Sequence, residues 1–411
     1  MRYLPIEPEG TDTFDRFRHL FATPVANVAP VRGDNDGVLY DVAVVGAGPA
    51  GSAAALRVRR LAPERSVLLL DAADFPRDKT CGDGIAAQAF DLLHALGVHG
   101  VEDLGPVAPR LRLRTPSGRG VDRACPRPTR VITRTAFDAA LVDAAVAAGA
   151  ELRRHRVRAL VDDGDRVVLD GTIAARAVIG ADGANSTVRR LLGGGPADRP
   201  GDRAVAIRGY APVSPDPGTL TIEYADGPYP AYAWSFPVAG GGANVGYGVF
   251  DRRGGGNRAA LVERMRGLLP GQEPDPGTVK AHHLPLSTTP RFHPDGRVLL
   301  AGDAAAKINP LTGEGIYDAI ASGALAGRDA LRGADAGATH RASMERAFGR
   351  HHRHVGAISR MAARPRFLDA AIAAAARHRR VFDAAVELGL AQGTVPPAAL
   401  AMVLGHLALG R

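Results

Sequence analysis

Gly46-Ala-Gly48-Pro-Ala-Gly51 constrains this chain more than any other segment. It follows an apolar run, Asp41-Val-Ala-Val-Val45, and precedes a helix-like run from Ser52 to Arg60. The next apolar run, Ser66-Val-Leu-Leu-Leu70, is closed by Asp71. The first glycine permits a tight strand-to-helix turn, the second lets backbone approach a pyrophosphate, and the third lets helix pack close to strand. The phosphates then sit on a helix N-terminus, where free N–H groups and the dipole favour negative charge. Asp71 is spaced to accept hydrogen bonds from an adenosine ribose. Together these features predict dinucleotide binding at Gly46, Gly48, Ala50, Gly51 and Asp71, and leave NAD(P) and FAD level.

A chain of 411 residues suits two intertwined domains, and 45% hydrophobic with 23% charged residues is ordinary for a globular protein. Cys81 and Cys125 make no disulfide framework, which predicts a reducing cytoplasmic setting. Met1 to Leu39 lacks a secretory apolar core, and no run approaches the ~18 apolar residues of a membrane span. The net charge is +8, but the 51 Lys and Arg residues are spread without a dense tract. A solvated basic surface is therefore expected, and nucleic-acid binding is not.

Residues 1–38 read as an N-terminal extension. Residues 39–105 with 130–200 and 290–335 read as a discontinuous nucleotide domain, 106–129 with 201–289 as an inserted antiparallel β-sheet domain, and 336–411 as a helical region. Helices are expected over 88–96, 136–148, 258–269 and 315–331. Strands are expected over 110–114, with a solvated basic face, and over 157–161, 166–170 and 177–180. His351, His352 and His354 are expected on a solvated helix face, without a metal. Arg377-His-Arg-Arg380 reads as a basic edge facing solvent or a membrane.

Three later segments bear on the cofactor. In Val178-Ile-Gly-Ala-Asp182-Gly183 an apolar strand runs into an acid before Ser186 and Arg189. In Val298-Leu-Leu-Ala-Gly302-Asp303 a second strand ends the same way, and Asn309-Pro-Leu-Thr-Gly313-Glu-Gly315-Ile opens another helix. Two acids at strand ends and a second helix N-terminus imply more ligand than one pyrophosphate. Asp303 is suited to ribityl hydroxyls. The helix opening near Gly315 is expected to aim its positive end at the flavin ring, stabilising the anionic reduced form.

This order of motifs resembles the flavoproteins built like para-hydroxybenzoate hydroxylase, and within them the geranylgeranyl reductase family. The details that carry the resemblance are Lys79-Thr-Cys81-Gly82, Tyr232-Ala-Trp234-Ser-Phe236-Pro237 with Asn244-Val-Gly246-Tyr-Gly248, and the run from Gly302-Asp303 to Gly315-Ile316. The resemblance implies an α/β (α+β overall) fold: a Rossmann-like FAD-binding domain, an inserted antiparallel sheet for substrate, and a helical C-terminal region. It implies FAD contacts at Cys81, Gly82, Arg134, Asp182, Gly302, Asp303, Pro310, Gly313, Gly315 and Ile316. Lys307 stands where the family usually has a small residue, beside the expected flavin.

The activity implied is reduction of carbon–carbon double bonds in an isoprenoid or similarly apolar substrate, by hydride from reduced flavin N5. The electrons would come from NAD(P)H or a reduced electron carrier, which makes a donor protein one expected partner. A peripheral membrane contact stays open. Tyr232, Trp234 and Phe236 alternate along one strand and so share a face, suited to an apolar chain or to core packing. Cys81, Tyr232 and Trp234 are the catalytic candidates, with Cys81 as a proton donor beside the flavin or simply a small buried hydrophobe. Arg134 reads equally as a flavin contact or a surface residue. The alternative activity is an O2-using monooxygenase, and a non-catalytic flavin- or lipid-binding protein is the third reading.

Overall fold

The computed structural model describes residues 38–195, 203–226, 230–250, 257–288 and 292–410. The expected N-terminal extension, apart from Val38, lies outside these residues. The chain opens with β1 (Leu39–Val45), α1 (Pro49–Leu61), β2 (Val67–Asp71), β3 (Gly84–Ile85) and α2 (Ala87–Ala95). There follow β4 (Val107–Arg114), β5 (Gly120–Val131), α3 (Arg134–Ala147), β6 (Glu151–Arg154), β7 (Leu160–Asp162), β8 (Val167–Leu169), β9 (Ile173–Gly180) and α4 (Thr187–Leu191). The middle of the chain gives β10 (Arg203–Ala211), β11 (Thr219–Tyr224), β12 (Ala231–Pro237), β13 (Ala243–Phe250), α5 (Arg258–Leu268), β14 (Lys280–Pro285) and β15 (Val298–Leu300). Five helices complete it: α6 (Ile316–Ala330), α7 (Ala336–Ala362), α8 (Pro365–Arg377), α9 (Arg379–Leu390) and α10 (Pro397–Ala408).

Two sheets organise the molecule. The first runs β6-β2-β1-β9-β8-β7, with β15 also on β9. Its β6, β2, β1, β9 and β15 are parallel, and β7 and β8 fold back as antiparallel ribbons. The apolar runs of β1 and β2 are buried on both faces, as parallel strands require. α1 and α6 cover one face at very close range: a Cβ on Gly323 would lie 2.1 Å from the Ala50 carbonyl oxygen, and one on Gly327 2.3 Å from that of Ala54. That crossing fixes α1 and α6 against each other.

The second sheet runs β14-β10-β13-β12-β11-β4-β5-β3. It departs from the expected all-antiparallel insert, because β11 joins β4 in parallel. It also recruits Gly84–Ile85, assigned above to the nucleotide domain, and extends β5 to Val131. On β12 the small Ala231 and Ala233 pack with Leu261 and Met265 of α5, while Tyr232 and Trp234 belong to a cluster on the opposite face. α8, α9 and α10 pack against β4, β5 and β11 through Phe367, Leu368, Phe382 and Val403.

Two smaller expectations are corrected. The strand expected at 157–161 is Leu160–Asp162. The arginines of β4 do face outward as expected, and they are ion-paired there: Arg110 and Arg112 share Asp122, and Arg112 also reaches Asp216. His351 and His352 are buried, not solvated. His351 Nδ1 lies 2.8 Å from the Gly393 carbonyl, and His352 faces Asp318, because α7 turns its polar stripe inward. Among the described residues no helix is long and apolar enough to cross a membrane.

Candidate active site

The ends of β1, β2 and β9 open into one cavity of about 780 Å3, which continues between the second sheet and helices α8 and α9. Its first part is built by the glycine loop. Gly46 has φ +101°, and a Cβ there would stand 2.3 Å from the Ala181 carbonyl oxygen. A Cβ on Gly51 would stand 1.8 Å from the Gly46 oxygen, so helix and strand meet only through glycine. α1 begins at Gly48 with no side chain capping it, and its first turn lies on the cavity wall. Asp71 holds the loop from β2, accepting from Ala47 N at 2.9 Å and from Ala73 N at 2.9 Å.

Two cations, Arg77 and Arg134, stand at this uncapped helix end, and a third, Lys79, lies further along the cavity. Arg134 is buried, and its Nε and Nη2 donate to the two oxygens of fully buried Asp138 at 2.6 and 2.7 Å. Burial works against the Arg134 charge, but Asp138 outweighs it and holds the guanidinium firmly protonated. Arg77 lies 3.3 Å from Asp138 and 3.6 Å from Asp71. Lys79 lies 3.6 Å from Asp303 and 3.4 Å from His282. Burial, then the Lys79 charge, pushes the His282 imidazole down to about 4. A free helix N-terminus flanked by Arg77 and Arg134 is an anion cradle fit for a diphosphate, with Lys79 further along the same cavity. The donor set and the glycine cradle therefore fit FAD.

Beyond the cradle lies the turn from Asn309 to Gly315. Asn309 shapes it, its Oδ1 accepting from Leu311 N at 2.9 Å and its Nδ2 donating to the Leu388 carbonyl at 2.9 Å. The free positive end of α6 expected here is occupied. Glu314 Oε1 accepts from Ile316 N at 2.8 Å and Tyr317 N at 3.1 Å. Burial pushes the Glu314 carboxyl up to about 7, with those two N–H groups pulling the other way.

Not every expected cofactor residue reaches the cavity. Gly46, Gly48, Ala50, Asp71, Cys81, Gly82, Arg134, Asp182, Asp303, Gly313, Gly315 and Ile316 line it. Gly51, Gly302 and Pro310 stand behind the wall, where Gly51 lets α1 pack against β1, Gly302 N–H donates to Ser322, and the Pro310 carbonyl accepts from Ser359. The Asp182 carboxylate is committed to α4, taking Ser186 Oγ at 2.5 Å and Thr187 N at 2.6 Å. Lys307 faces away, into a separate cavity of about 310 Å3 with His293, Arg341 and His352.

The far part of the cavity is apolar. One wall is Tyr232, Trp234 and Phe236 of β12 with Leu111, Leu113 and Ile222. The other is Phe367, Ile372 and Ala375 of α8 with Phe382 and Val386 of α9. The polar atoms of two catalytic candidates are already used: Tyr232 donates to the Thr312 carbonyl, and Trp234 Nε1 donates to Asn244 Oδ1 at 2.9 Å. Both act as walls. Gly246 makes room for the indole, since a Cβ there would lie 2.2 Å from Trp234. Cys81 sits where the two parts meet and is half-buried. Burial pushes its thiol up to about 11, so it stays protonated at neutral pH.

Sequence reasoning passed over Arg77, His282, Asp83 and the α8–α9 wall. It also passed over His155 to Val157, which line the cavity just beyond β6. β6 pairs with β2 in parallel, and ligands of open parallel sheets bind at the carboxyl ends of the strands. That rule was the available signal.

Residues 39–226 match the FAD binding domain family. A menaquinone reductase of Mycolicibacterium smegmatis is 35% identical over 316 residues, covering 70% of this chain and 75% of that protein. A digeranylgeranylglycerophospholipid reductase of Methanopyrus kandleri is 36% identical over 314 residues, covering 71% and 80%. The fold is shared with a geranylgeranyl bacteriochlorophyll reductase-like protein from Thermoplasma acidophilum, with TM-score 0.73, 20% identity and coverage of 90% of this chain and 96% of that one. A flavin-dependent brominase shares it too, with TM-score 0.69, 19% identity and coverage of 91% and 100%. These matches and the FAD-suited site carry one conclusion: the chain belongs to the geranylgeranyl reductase family of FAD-dependent oxidoreductases.

Proposed function

We propose that the protein saturates a carbon–carbon double bond in an isoprenoid chain held in the apolar half of the cavity. The observation that carries this reading is the continuity of that half, walled by Trp234, Phe236, Ile372 and Phe382, with the FAD-suited cradle at Gly48 and Arg134. The printed names of two relatives, menaquinone reductase and digeranylgeranylglycerophospholipid reductase, support it. Bound FAD supplies hydride. The chain's own part is to hold the alkene, exclude water and deliver one proton, for which Cys81 is the donor at the junction. NAD(P)H or a reduced carrier, docking transiently, supplies electrons, since the sequence contains no second Gly-x-Gly-x-x-Gly.

Product analysis tests the reading. With a polyprenyl substrate the product gains two hydrogens across one double bond and no oxygen. Cys81→Ala keeps FAD and lowers turnover by about 10²-fold, the usual share of a general acid. A product carrying an oxygen atom from O2 would instead select the monooxygenase alternative, and undiminished Cys81→Ala turnover removes the thiol from the chemistry.

The same reading includes contact with an anionic membrane surface through α10. No Asp, Glu, Lys or Arg occurs in α10, and Leu404, Leu407 and Leu409 at its end are 44%, 36% and 68% exposed. Exposed Arg377, Arg379 and Arg380 lie beside it, joined by the contact of the His378 and His406 rings at 5.7 Å. An apolar face beside a cationic edge matches anionic lipid. The protein is expected to float with phosphatidylglycerol vesicles, and Leu404→Gln/Leu407→Gln/Leu409→Gln to stay in the soluble fraction. Equal flotation of both contradicts the contact.

A further inference from the structure

The loop between β2 and β3 carries Cys81, and it is held in place from the second sheet. Asn244 of β13 stands directly opposite Tyr210 of β10 and Phe236 of β12, so the three form one row across the sheet. Asn244 is fully buried and does not line the cavity. Its Nδ2 donates to the Cys81 carbonyl at 2.8 Å and to Asp83 Oδ2 at 2.8 Å. Its Oδ1 accepts from Trp234 Nε1 at 2.9 Å. The position thus meets two acceptors and one donor, and a neutral amide, with its NH2 and its carbonyl, answers all three. A carboxylate there would have no hydrogen to give the loop.

Asp83 completes the brace. Its Oδ2 also accepts from Tyr210 Oη at 2.7 Å, and its backbone N–H donates to Cys81 Sγ at 3.3 Å. The contact that orients the sulfur therefore comes from a residue whose side chain is anchored on β10 and β13. Asp83 has φ +63°, a conformation that a non-glycine residue keeps only where its surroundings impose it. The glycines on either side let the loop lie against the aromatic wall. A Cβ on Gly82 would stand 3.4 Å from Trp234 Nε1 and from Phe236, and one on Gly84 3.4 Å from Phe236. Loop, indole and Asn244 form one unit, and Cys81 is on its cavity side.

We infer that Asn244 is the positioning residue for proton delivery: from β13 it fixes the Cys81–Asp83 loop and the indole wall in one register, and so holds the thiol against the apolar half of the cavity. The inference rests on the double-bond reduction proposed above. There the π bond breaks, hydride from reduced flavin forms one C–H bond, the S–H proton forms the second, and water reprotonates the sulfur. Asn244 takes no part in those bonds and acts through Cys81.

Asn244→Ala deletes both bonds to the loop and leaves the residues that line the cavity in place. FAD content and KM for a polyprenyl alkene stay near the wild-type values, because the walls that bind both are intact. kcat falls by about 10²-fold, the cost of misplacing a reacting group by about an ångström. Reoxidation of the reduced flavin by ferricyanide, which takes electrons and needs no thiol proton, keeps its wild-type rate. A merely structural loss would lower both rates or the FAD content.

A second readout needs no substrate. In a Cys125→Ser background Cys81 is the one cysteine left. Freed from its brace, the thiol meets water and returns toward its ordinary acidity, so its iodoacetamide rate at neutral pH rises about tenfold. Asn244→Asp keeps the volume and the acceptor for Trp234 but turns an oxygen toward the Cys81 carbonyl. It is expected to show the same kcat loss and the same faster alkylation, and it carries the test if Asn244→Ala does not fold. Wild-type kcat in a folded variant, or a kcat loss with unchanged alkylation, overturns the inference. Faster alkylation in the variants of a protein that saturates no alkene refutes the parent reading instead.

Discussion

Replacing Arg134 by alanine is expected to yield a protein that retains no FAD and melts well below the wild type. The guanidinium holds both oxygens of Asp138 within hydrogen-bond distance, and Asp138 is wholly inaccessible to water. Without Arg134, the cation left to that buried carboxylate among the described residues is Arg77, 3.3 Å away. Breaking a buried ion pair from one side costs about 3–5 kcal/mol, because the remaining charge is left uncompensated. The same side chain closes the cradle at Gly48, so the diphosphate loses a cation as well. Flavin absorbance of the purified variant and its melting curve check the two effects separately. The double variant Arg134→Ala/Asp138→Ala should recover most of the stability and none of the FAD, since the orphaned charge is gone but the cradle stays open. Wild-type flavin content in Arg134→Ala would show that the cation serves α3 alone.

The second large effect concerns the far end of the cavity. Ala375 is buried on the α8 wall, and Ala375→Trp fills the space that an isoprenoid tail would take. Excluding one five-carbon unit forfeits ~0.8 kcal/mol per buried CH2, about 4 kcal/mol in all, or close to 10³-fold in kcat/KM. The loss should appear only for substrates long enough to reach α8, and a truncated analogue should react as before. Equal losses at every chain length would place the substrate elsewhere. FAD content provides the control, because Ala375 is far along the wall from the Gly48 cradle in sequence and in role.

Much of the cradle was legible because its residues sit at fixed offsets from apolar runs. Gly46, Gly48 and Asp71 need only one strand–helix–strand unit to meet, and local periodicity reveals that unit. What lay hidden depended on side-chain partners. Asp182 follows a strand as a ribose-binding acid does, yet the Ser186–Val188 turn captures its carboxylate to start α4. Glu314 sits inside a glycine-rich helix opening, and its reach back to Ile316 N and Tyr317 N closes the end that was expected free. His351 and His352 look like a surface pair until α7 packs their side against Gly393 and Asp318.

The apolar wall was hidden for another reason. Phe367, Ile372, Phe382 and Val386 mark amphipathic helices in any reading. Periodicity says that such a face is covered, but not whether side chains or a ligand cover it. The parallel pairing of β11 with β4, which sets Leu111 and Leu113 opposite those helices, joins segments about a hundred residues apart and leaves no local trace.

Anaerobic reoxidation of the flavin tests the central claim most directly. The FAD-loaded protein is reduced in the absence of O2 and mixed with a polyprenyl alkene while flavin absorbance is followed. The account predicts full reoxidation by the alkene, with one double bond saturated per flavin and with the rate lowered in Cys81→Ala. Flavin that stays reduced with the alkene and is reoxidised only when O2 is admitted, with oxygen appearing in the product, would contradict it.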